Sequence, residues 1–272
     1  MIVFYGPKEG YALSDWEDGA MGGSFRTPNS PSPSLFRFVV TDGATETYAA
    51  REWVDLLVGS FMSPGSTSVA NGHGVACWPD INRSSLSSWF GAMQKQWWAE
   101  APAANDTIER TKLKQGTMAT FVGGQLIGLD TASPQWQAAA LGDSVLFHVR
   151  NAQLVDQVPL LRSADFDTTP DGVDTRPERL DWMSGELQLR EGPLAAGDTI
   201  FVATDAFAKW MVTRHEARDK TLWPQLSGLD HPFVFDRIVA AERQAGTMKD
   251  DDVTLMRIRL LERPLSTVLL CQ

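Results

Sequence analysis

The chain has 272 residues, of which 43% are hydrophobic and 10% aromatic, including 10 Trp and 13 Phe. This composition supports a large hydrophobic core and excludes an intrinsically disordered chain. The formal net charge is −10, which argues against a nucleic-acid-binding protein, because such proteins carry a basic surface.

Cysteine content and the N-terminal sequence indicate the cellular compartment. The two cysteines, Cys77 and Cys271, form neither a metal-ligand cluster nor a disulfide framework and are typical of a reducing compartment. The N-terminus lacks the basic start and apolar core of a signal peptide. No stretch of about 18 apolar residues predicts a membrane span. We therefore expect a cytoplasmic monomer that contacts neither membranes nor nucleic acid.

The first elements place an aspartate at the end of a strand. Residues 27–34 are rich in Pro and Ser and predict a loop, which leads into the strand sequence LFRFVVT at 35–41. Residues 46–61 predict a helix, because Ala49, Trp53, Leu56 and Leu57 have helical spacing. Asp42 therefore lies at a strand-to-helix junction.

The middle of the chain predicts helices followed by strands. A Gly- and Ser-rich loop at 63–75 precedes helices at 84–101 and 105–113. The sequences GTMATFVGGQLIGL and WQAAALGDSVLFHVR predict strands, with turns at Gly123-Gly124 and Gly142-Asp143. Residues 163–179 are acidic and rich in turn formers, which predicts a mobile, solvated loop.

The last third of the chain returns to strands. MSGELQLRE, GDTIFVATD and DVTLMRIRL predict strands, and residues 232–246 predict a helix that opens with Pro and ends with Gly. The tail at 262–272 has no assigned role. Because clusters of strands lie between clusters of helices, we expect an α+β fold with antiparallel sheets and outer helices. No linker is visible, so residues 1–272 are expected to form one domain.

Acidic residues lie at the tips of three predicted strands. The sequences are FVVTDGAT (Asp42), FVATDAFA (Asp205) and KDDDVTLMRIR (Asp250, Asp251 and Asp252). WEDGA adds Glu17 and Asp18. A carboxylate at a buried strand tip is unfavourable unless a cation or hydrogen bonds offset its lost hydration. Taken singly, each could be a turn former or a helix cap, as Asp42 could be for the helix that follows it.

Together these carboxylates predict a site for hard divalent cations, which prefer oxygen ligands. Two such ions lower the pKa of a bridging water and supply hydroxide for attack on a phosphoryl group. Cations at this position would also keep the carboxylates ionised.

The order of these segments resembles the metal-dependent serine/threonine protein phosphatases of type 2C, the PPM family, over residues 14–259. WEDGA resembles the early acidic motif of the family, VVTDGAT its Asp-Gly motif, and LGDSVLFHVRN its Gly-Asp-Ser turn. GDTIFVATDA resembles the Thr-Asp-Gly segment, and DDVT resembles Asp-Asn-x-Thr, with Asp252 in the place of the Asn.

The resemblance implies a central antiparallel β-sandwich flanked by helices on both sides, an α-β-β-α arrangement with the metal site at one end. It implies two Mg²⁺ or Mn²⁺ ions, a third in some members, and a phosphorylated protein as substrate. Asp42 would bridge the ions and, with Asp18, would be catalytic. The implied metal-binding set is Glu17, Asp18, Asp42, the Gly43 carbonyl, Asp143, Asp205 and Asp251.

Several positions depart from the family. Leu13 stands where many members carry a phosphate-binding Arg, for which Arg26 or Arg37 are the candidate replacements. Ala44 stands where many eukaryotic members have a His that follows the Asp-Gly motif. These departures keep two alternatives open. One is a catalytically weak pseudophosphatase that acts as a regulatory binding module, and the other is a bimetallic phosphoesterase for small molecules.

The remaining candidates are assigned to structure. None of the four histidines is spaced as a metal ligand to another, and His148 is expected on a sheet face. Ser144 lacks the surroundings of a hydrolase nucleophile. Trp53, Trp97 and Trp98 are expected in helix packing.

Overall fold

The computed structural model describes residues 1–25, 35–44, 47–63, 65–67, 75–166 and 171–261. The predicted loop at 27–34, the tail at 262–272, Arg26, His73 and Cys271 lie outside these ranges. The strands are β1 Ile2–Gly6, β2 Gly19–Phe25, β3 Leu35–Thr41, β4 Gly65–Thr67, β5 Val75–Cys77, β6 Met118–Ala119, β7 Phe121–Ile127, β8 Gln135–Leu141, β9 Val145–Arg150, β10 Gln153–Val158, β11 Val173–Asp174, β12 Gln188–Pro193, β13 Thr199–Ala203 and β14 Val253–Arg259. The helices are α1 Ala50–Met62, α2 Arg83–Glu100, α3 Thr107–Gln115, α4 Leu180–Glu186, α5 Asp205–Glu216, α6 Leu222–Ser227 and α7 Pro232–Gln244.

Ten of these strands form two five-stranded antiparallel sheets. The first sheet has the order β1-β14-β13-β9-β10, and the second has the order β12-β8-β7-β3-β2. Two-stranded pairs, β6 with β11 and β4 with β5, complete the described strands. In the first sheet β14 lies between β1 and β13, so elements from both ends of the described chain meet in it.

Alternation along the strands divides the side chains between two layers. In β13, Ile200 and Val202 belong to the core between the sheets, whereas Phe201 and Ala203 face the helices outside. This period of two is what a strand backbone imposes. The core between the sheets consists of Phe36, Phe38, Val40, Val122, Leu126, Trp136, Ala138, Ala140, Leu146, Val158, Leu194, Ile200, Val202, Met256 and Ile258.

Helices cover the outer faces of both sheets. Buried side chains of α1, α2 and α4, among them Trp53, Phe90 and Met183, pack on the second sheet. Buried side chains of α5, α6 and α7, among them Trp210 and Trp223, pack on the first sheet. The architecture is therefore α-β-β-α, and the predicted fold class is confirmed.

The Gly123-Gly124 pair is not a turn, and that prediction is wrong. Both residues lie inside β7, where Gly124 pairs with Phe38 on one side and Ala138 on the other. A Cβ on Gly124 would lie 2.4 Å from the Phe38 ring and 2.7 Å from the Gln137 carbonyl oxygen. The glycines therefore make room for the packing of aromatic rings against the strand. The turn at Gly142-Asp143 is confirmed, with Gly142 at φ +99°.

Helix α1 begins at Ala50, four residues later than predicted. Ala49 precedes it with a left-handed backbone (φ 58°) and no side-chain capping bond. Asp42 is thus not the cap of this helix, which removes that interpretation of the residue. Helices α2, α3 and α7 lie where the sequence predicts them. Among the described residues, no helix combines the length and hydrophobicity that a bilayer span requires.

Two further predictions need correction. The strand expected over MSGELQLRE is helix α4 followed by β12, because Met183 is buried against the helical layer. The acidic segment at 163–179 is not solvated throughout, since Val173, Asp174 and Thr175 are buried. Asp174 is ion-paired with Arg176 at 2.5 Å, which offsets the burial of its charge.

The β7 glycines are testable by substitution. We expect Gly124→Ala to lower the free energy of unfolding by about 1–3 kcal/mol, because the added methyl group overpacks the sheet. Gly185→Ala in α4 is the matched control. A Cβ there meets no atom within 4 Å, so helix propensity predicts a gain of about 0.5–1 kcal/mol. Denaturant unfolding of both variants measures the difference, and equal effects would contradict the packing argument.

Candidate functional site

The predicted site residues converge at one edge of the sandwich. In the second sheet Gly19 pairs with Thr41, which places Asp18 and Asp42 next to each other at this edge. In the first sheet Ala203 pairs with both Leu255 and Val145. Asp205, Asp252 and Asp143 therefore follow or precede strand ends at the corresponding edge of the first sheet. The acidic residues that follow or precede these strands therefore lie at one edge of the sandwich.

Asp18 links the two sheets through two threonines. Its Oδ2 accepts hydrogen bonds from Thr204 Oγ1 at 3.0 Å and from Thr254 Oγ1 at 2.7 Å. The threonines also bind each other, since the Thr254 amide donates to Thr204 Oγ1 at 2.9 Å. All three residues are completely buried. Thr204 and Thr254, which belong to the two Asp-containing motifs of the first sheet, thus fix the Asp18 carboxylate at the start of the second sheet.

Thr120 fixes the backbone of Asp42. The Asp42 amide donates to Thr120 Oγ1 at 3.2 Å, and the Thr120 amide donates to the Asp42 carbonyl at 2.9 Å. Thr120 Oγ1 also lies 2.6 Å from Ser144 Oγ, beside Asp143. Gly43 bridges to Ala119, and a Cβ on Gly43 would lie 3.0 Å from the Glu17 carbonyl oxygen. The Asp-Gly motif is thereby held against both Glu17 and the Gly-Asp-Ser turn.

Asp252 organises the segment that precedes Asp18. Its Oδ1 accepts the Lys8 amide at 2.9 Å, and its Oδ2 accepts the Glu17 amide at 2.8 Å. An asparagine, the family residue at this place, offers one acceptor oxygen and would direct an NH₂ group at the other amide. A carboxylate at position 252 can therefore accept both the Lys8 and the Glu17 amide, whereas an asparagine cannot.

Asp205 and Asp251 share a lysine. Lys249 Nζ lies 3.2 Å from Asp205 Oδ2 and 2.5 Å from Asp251 Oδ2. The remaining oxygens accept backbone amides, Asp205 Oδ1 from Ala206 and Asp251 Oδ1 from Asp252. Lys249 was not singled out from the sequence, where it is only the first residue of KDDD.

Mutual repulsion and burial shift the titration of these acids. Burial raises the pKa of Asp42 well above its usual range, and the charges of Asp18, Asp205, Asp143 and Asp251 raise it further. Burial raises the pKa of Asp18 to about 8, although the hydrogen bond from Thr254 opposes the shift. Burial also raises the pKa of Asp205, whereas Lys249 lowers it. Without a further cation, Asp18 therefore favours its protonated form near neutral pH.

The donor set fits a hard divalent cation. Its members are carboxylates and a backbone carbonyl, which are ligands of Mg²⁺ and Mn²⁺, and Asp18 Oδ1 is buried with no hydrogen-bond partner among the described residues. Across the described ranges, however, no group of three or more Asp, Glu, His or Cys side chains is arranged so that it could hold an ion. Several of the carboxylate oxygens accept bonds from internal donors instead.

The remaining predicted ligand, Asp143, also lies at this edge. Asp143 is 5% exposed in the turn between β8 and β9, and its charge acts on Asp42. A Cβ on Gly142 would lie 2.5 Å from the Asp171 carbonyl oxygen. The acidic segment that contains Asp171 thus lies over the turn that carries Asp143.

Of the two predicted replacements for the phosphate-binding Arg, only Arg37 lies within the described ranges. Leu13 is 53% exposed, and Arg26 lies outside the described residues. Arg37 is buried inside β3, where it binds Gln125 and the Pro79 carbonyl, so its candidacy is wrong. An arginine that the sequence analysis did not single out, Arg51, does lie beside Asp18. Its Nη1 donates to the Trp16 carbonyl at 2.6 Å and to the Asp18 carbonyl at 3.3 Å.

Three structural assignments from the sequence are settled here. His148 lies in β9, where it is buried and bonded to Asp198 and Trp136, so it is on a sheet face as expected. Ser144 is buried and its hydroxyl is hydrogen-bonded to Thr120, which agrees with its assignment to structure. Trp98 is 40% exposed, which makes its assignment to helix packing only partly correct.

Comparison of the whole structure identifies the fold. PppA, a regulatory component of the type VI secretion system in Pseudomonas aeruginosa, is 17% identical with a TM-score of 0.51, over 95% of this chain and 96% of that chain. The Mycobacterium tuberculosis serine/threonine phosphatase PstP is 14% identical with a TM-score of 0.54, over 96% and 98%. The catalytic domain of PstP in complex with two manganese ions is 13% identical with a TM-score of 0.50, over 94% and 96%.

These similarities establish that the chain has the fold of the PPM serine/threonine phosphatases, as the sequence resemblance implies. No family model matches the sequence, and no curated protein matches it significantly. The low identity therefore shows the fold, and the roles of individual residues rest on the geometry of the site.

The two amide bonds of Asp252 can be tested. We expect Asp252→Asn to lower the free energy of unfolding by about 1–3 kcal/mol, because one partly buried amide loses its acceptor. Asp250→Asn is the control, since Asp250 is half exposed and its Oδ1 accepts the exposed Glu9 amide, a bond that an asparagine oxygen can replace. The ion pair of Asp250 with Arg243 at 3.5 Å is lost in this control, and such a pair contributes about 0–1 kcal/mol. Denaturant unfolding of both variants gives the comparison. A larger loss in Asp250→Asn would contradict the assigned role.

The raised pKa of Asp18 predicts the pH dependence of stability in chelator. Because its folded pKa is about 8, above the value in an unfolded chain, Asp18 stabilises the fold at low pH and loses this contribution as the pH rises through about 8. Asp18→Asn should therefore flatten the fall in melting temperature between about pH 5 and about pH 8. Asp130→Asn, an exposed change at the opposite end of β7, should leave the fall unchanged. An unaltered slope in Asp18→Asn would rule out the assignment.

Proposed function

We propose that this protein is a metal-dependent phosphatase that hydrolyses phosphoserine and phosphothreonine monoesters. The observation that carries the proposal is the convergence of Asp18, Asp42, Asp143, Asp205 and Asp251 at one edge of a PPM-type sandwich. A cluster of this charge at a partly open edge is suited to cations and, through them, to a phosphoryl dianion.

Each residue has a distinct proposed role. Asp42 would be shared by the two cations, with the Gly43 carbonyl and Glu17 or Asp18 on one side and Asp205 and Asp251 on the other. Asp143 would serve a third ion. Mg²⁺ and Mn²⁺ both suit these oxygen ligands, and the PstP catalytic domain of the same fold holds two manganese ions.

Bound cations would supply a water of lowered pKa and would neutralise the phosphoryl oxygens. The protein's own part is positional. Thr204 and Thr254 fix the Asp18 carboxylate, Thr120 fixes the backbone of Asp42, and Asp252 fixes the amide of Glu17. Preorganised ligands need no rearrangement when charge develops during hydrolysis.

Substitution of the shared aspartate tests the activity. We expect the wild-type protein to hydrolyse an aryl phosphate and a phosphothreonine peptide with Mn²⁺, and to lose this activity in chelator. Asp42→Asn should reduce turnover at least about a hundredfold, since loss of even an outer partner of a metal ligand costs up to about that factor. Asp130→Asn is the matched control and should retain full activity. Equal turnover in the wild type and Asp42→Asn would contradict the proposal.

A binding module without turnover is the second candidate. It is favoured by the exposed Leu13 at the phosphate-binding position and by Lys249 between two of the proposed ligands. A protein that folds stably but shows no Mn²⁺-dependent hydrolysis of either substrate would support this candidate. Hydrolysis of the aryl phosphate but not of the peptide would favour a small-molecule phosphoesterase. The protein nature of the substrate, the monomeric state and the cytoplasmic location stay predictions.

A further inference from the structure

Lys249 occupies the position of a cation in the acidic cluster. Its ammonium group contacts Asp205 at 3.2 Å and Asp251 at 2.5 Å, and both carboxylates are proposed ligands of the same ion. An ammonium is a compact, hydrated point charge with three donors. It therefore satisfies the same two carboxylate oxygens that a hydrated divalent ion would.

The backbone that carries Lys249 is fixed from both sides. Thr247 closes the end of α7, where its amide and hydroxyl both donate to Glu242. Met248 is buried in the core beneath α7. Beyond the lysine, Arg243 donates to the Asp251 carbonyl. The stem of Lys249 thus starts from a defined point beside the cluster whenever the protein is folded.

The side chain itself is free to leave. It is 48% exposed, and its contacts are to carboxylates at the mouth of the cluster. Its partners Asp205 and Asp251 are 14% and 26% exposed, so solvent screens the ammonium more than the carboxylates, and the long side chain loses entropy in one geometry. A divalent ion carries twice the charge and accepts several oxygens at once, so it can replace the ammonium.

We propose that Lys249 is a resident counter-ion that divalent cations must displace from Asp205 and Asp251. The protein then binds the cation at this pair of carboxylates in competition with its own lysine, and the cation concentration decides which of the two is bound. This inference rests on the proposed metal-dependent function, because it concerns the same ligands.

The proposal implies that the pair Asp205 and Asp251 forms the weaker cation position. Without a cation, Lys249 stabilises the folded protein by offsetting the repulsion between the two carboxylates. With a cation bound, the lysine projects into solvent and this contribution disappears. Lys249 therefore prevents cation binding at Asp205 and Asp251 when the cation concentration is low.

Titration with Mn²⁺ by calorimetry tests the competition. Lys249→Met should tighten the weaker binding step about tenfold, which corresponds to about 1.4 kcal/mol. Lys249→Gln should behave in the same way, which guards against poor folding of the apolar variant. Lys220→Met is the matched control. Lys220 is exposed and follows the C-terminal end of α5, whereas Asp205 begins that helix.

Thermal unfolding gives a second readout that does not depend on activity. In chelator, Lys249→Met should melt below the wild type, because two carboxylates lose their counter-ion. In saturating Mn²⁺, the melting temperatures should converge, because ligand binding to the folded state restores the lost stability. Lys220→Met should follow the wild type under both conditions.

The outcomes separate this inference from the proposed function. Mn²⁺ binding that is equal in all variants, or weaker in Lys249→Met, would overturn the role of Lys249 and leave the metal-dependent function standing. Absence of Mn²⁺ binding from every variant would overturn both. Binding by the Lys249 variants alone would support the inference, with the lysine excluding the cation from the wild-type protein.

Discussion

Two hydrogen bonds, from Thr204 and Thr254 to the Asp18 carboxylate, hold the rest of the site in register. They join one sheet to the other at the edge where the acidic strand ends meet. The bonds are completely buried, so the low local dielectric makes them strong and makes their loss costly. Asp42, Asp205 and Asp252 each lie next to a residue of this network or of the strands it joins, and their side chains are therefore brought together by the same contacts.

This arrangement places several anions where they repel one another. The raised pKa values of Asp42, Asp18 and Asp205 report that repulsion together with burial. The cluster can relieve it in three ways, by protonation, by the Lys249 ammonium or by a divalent ion. At Asp205 and Asp251, the Lys249 ammonium contacts the same carboxylate oxygens that the proposed cation would bind. The fold thus gathers acidic side chains whose charge burial and mutual repulsion both oppose.

The sequence predicts the architecture and the acidic residues better than it predicts their partners. β-branched runs before Asp42 and Asp205 predict strands because β propensity and burial agree there. The prediction of a turn at Gly123-Gly124 was wrong, because the sequence does not distinguish a glycine that makes room for an aromatic ring from a glycine in a turn. Helix α5 was missed because its start coincides with an acidic motif that reads as the end of a strand. The partners of Asp252 could not be assigned from the sequence, since Lys8 and Glu17 lie more than two hundred residues away. The role of Lys249 could not be assigned either, because it depends on Asp205, 44 residues earlier in the chain. Thr204 and Thr254 did carry a signal, as each belongs to an Asp-containing motif.

The position of β14 between β1 and β13 determines when the site can form during synthesis. Asp18 bonds to a threonine 236 positions later in the chain, and that threonine belongs to the final strand of the first sheet. A nascent polypeptide on the ribosome can therefore bring Asp18 next to Asp42 through β2 and β3 but lacks the bond from Thr254 that joins Asp18 to the first sheet, because the strand between β1 and β13 is still missing. Such long-range pairing is slow relative to local helix formation. The acidic centre is thus delayed until translation has passed β14, and unfinished chains do not present it.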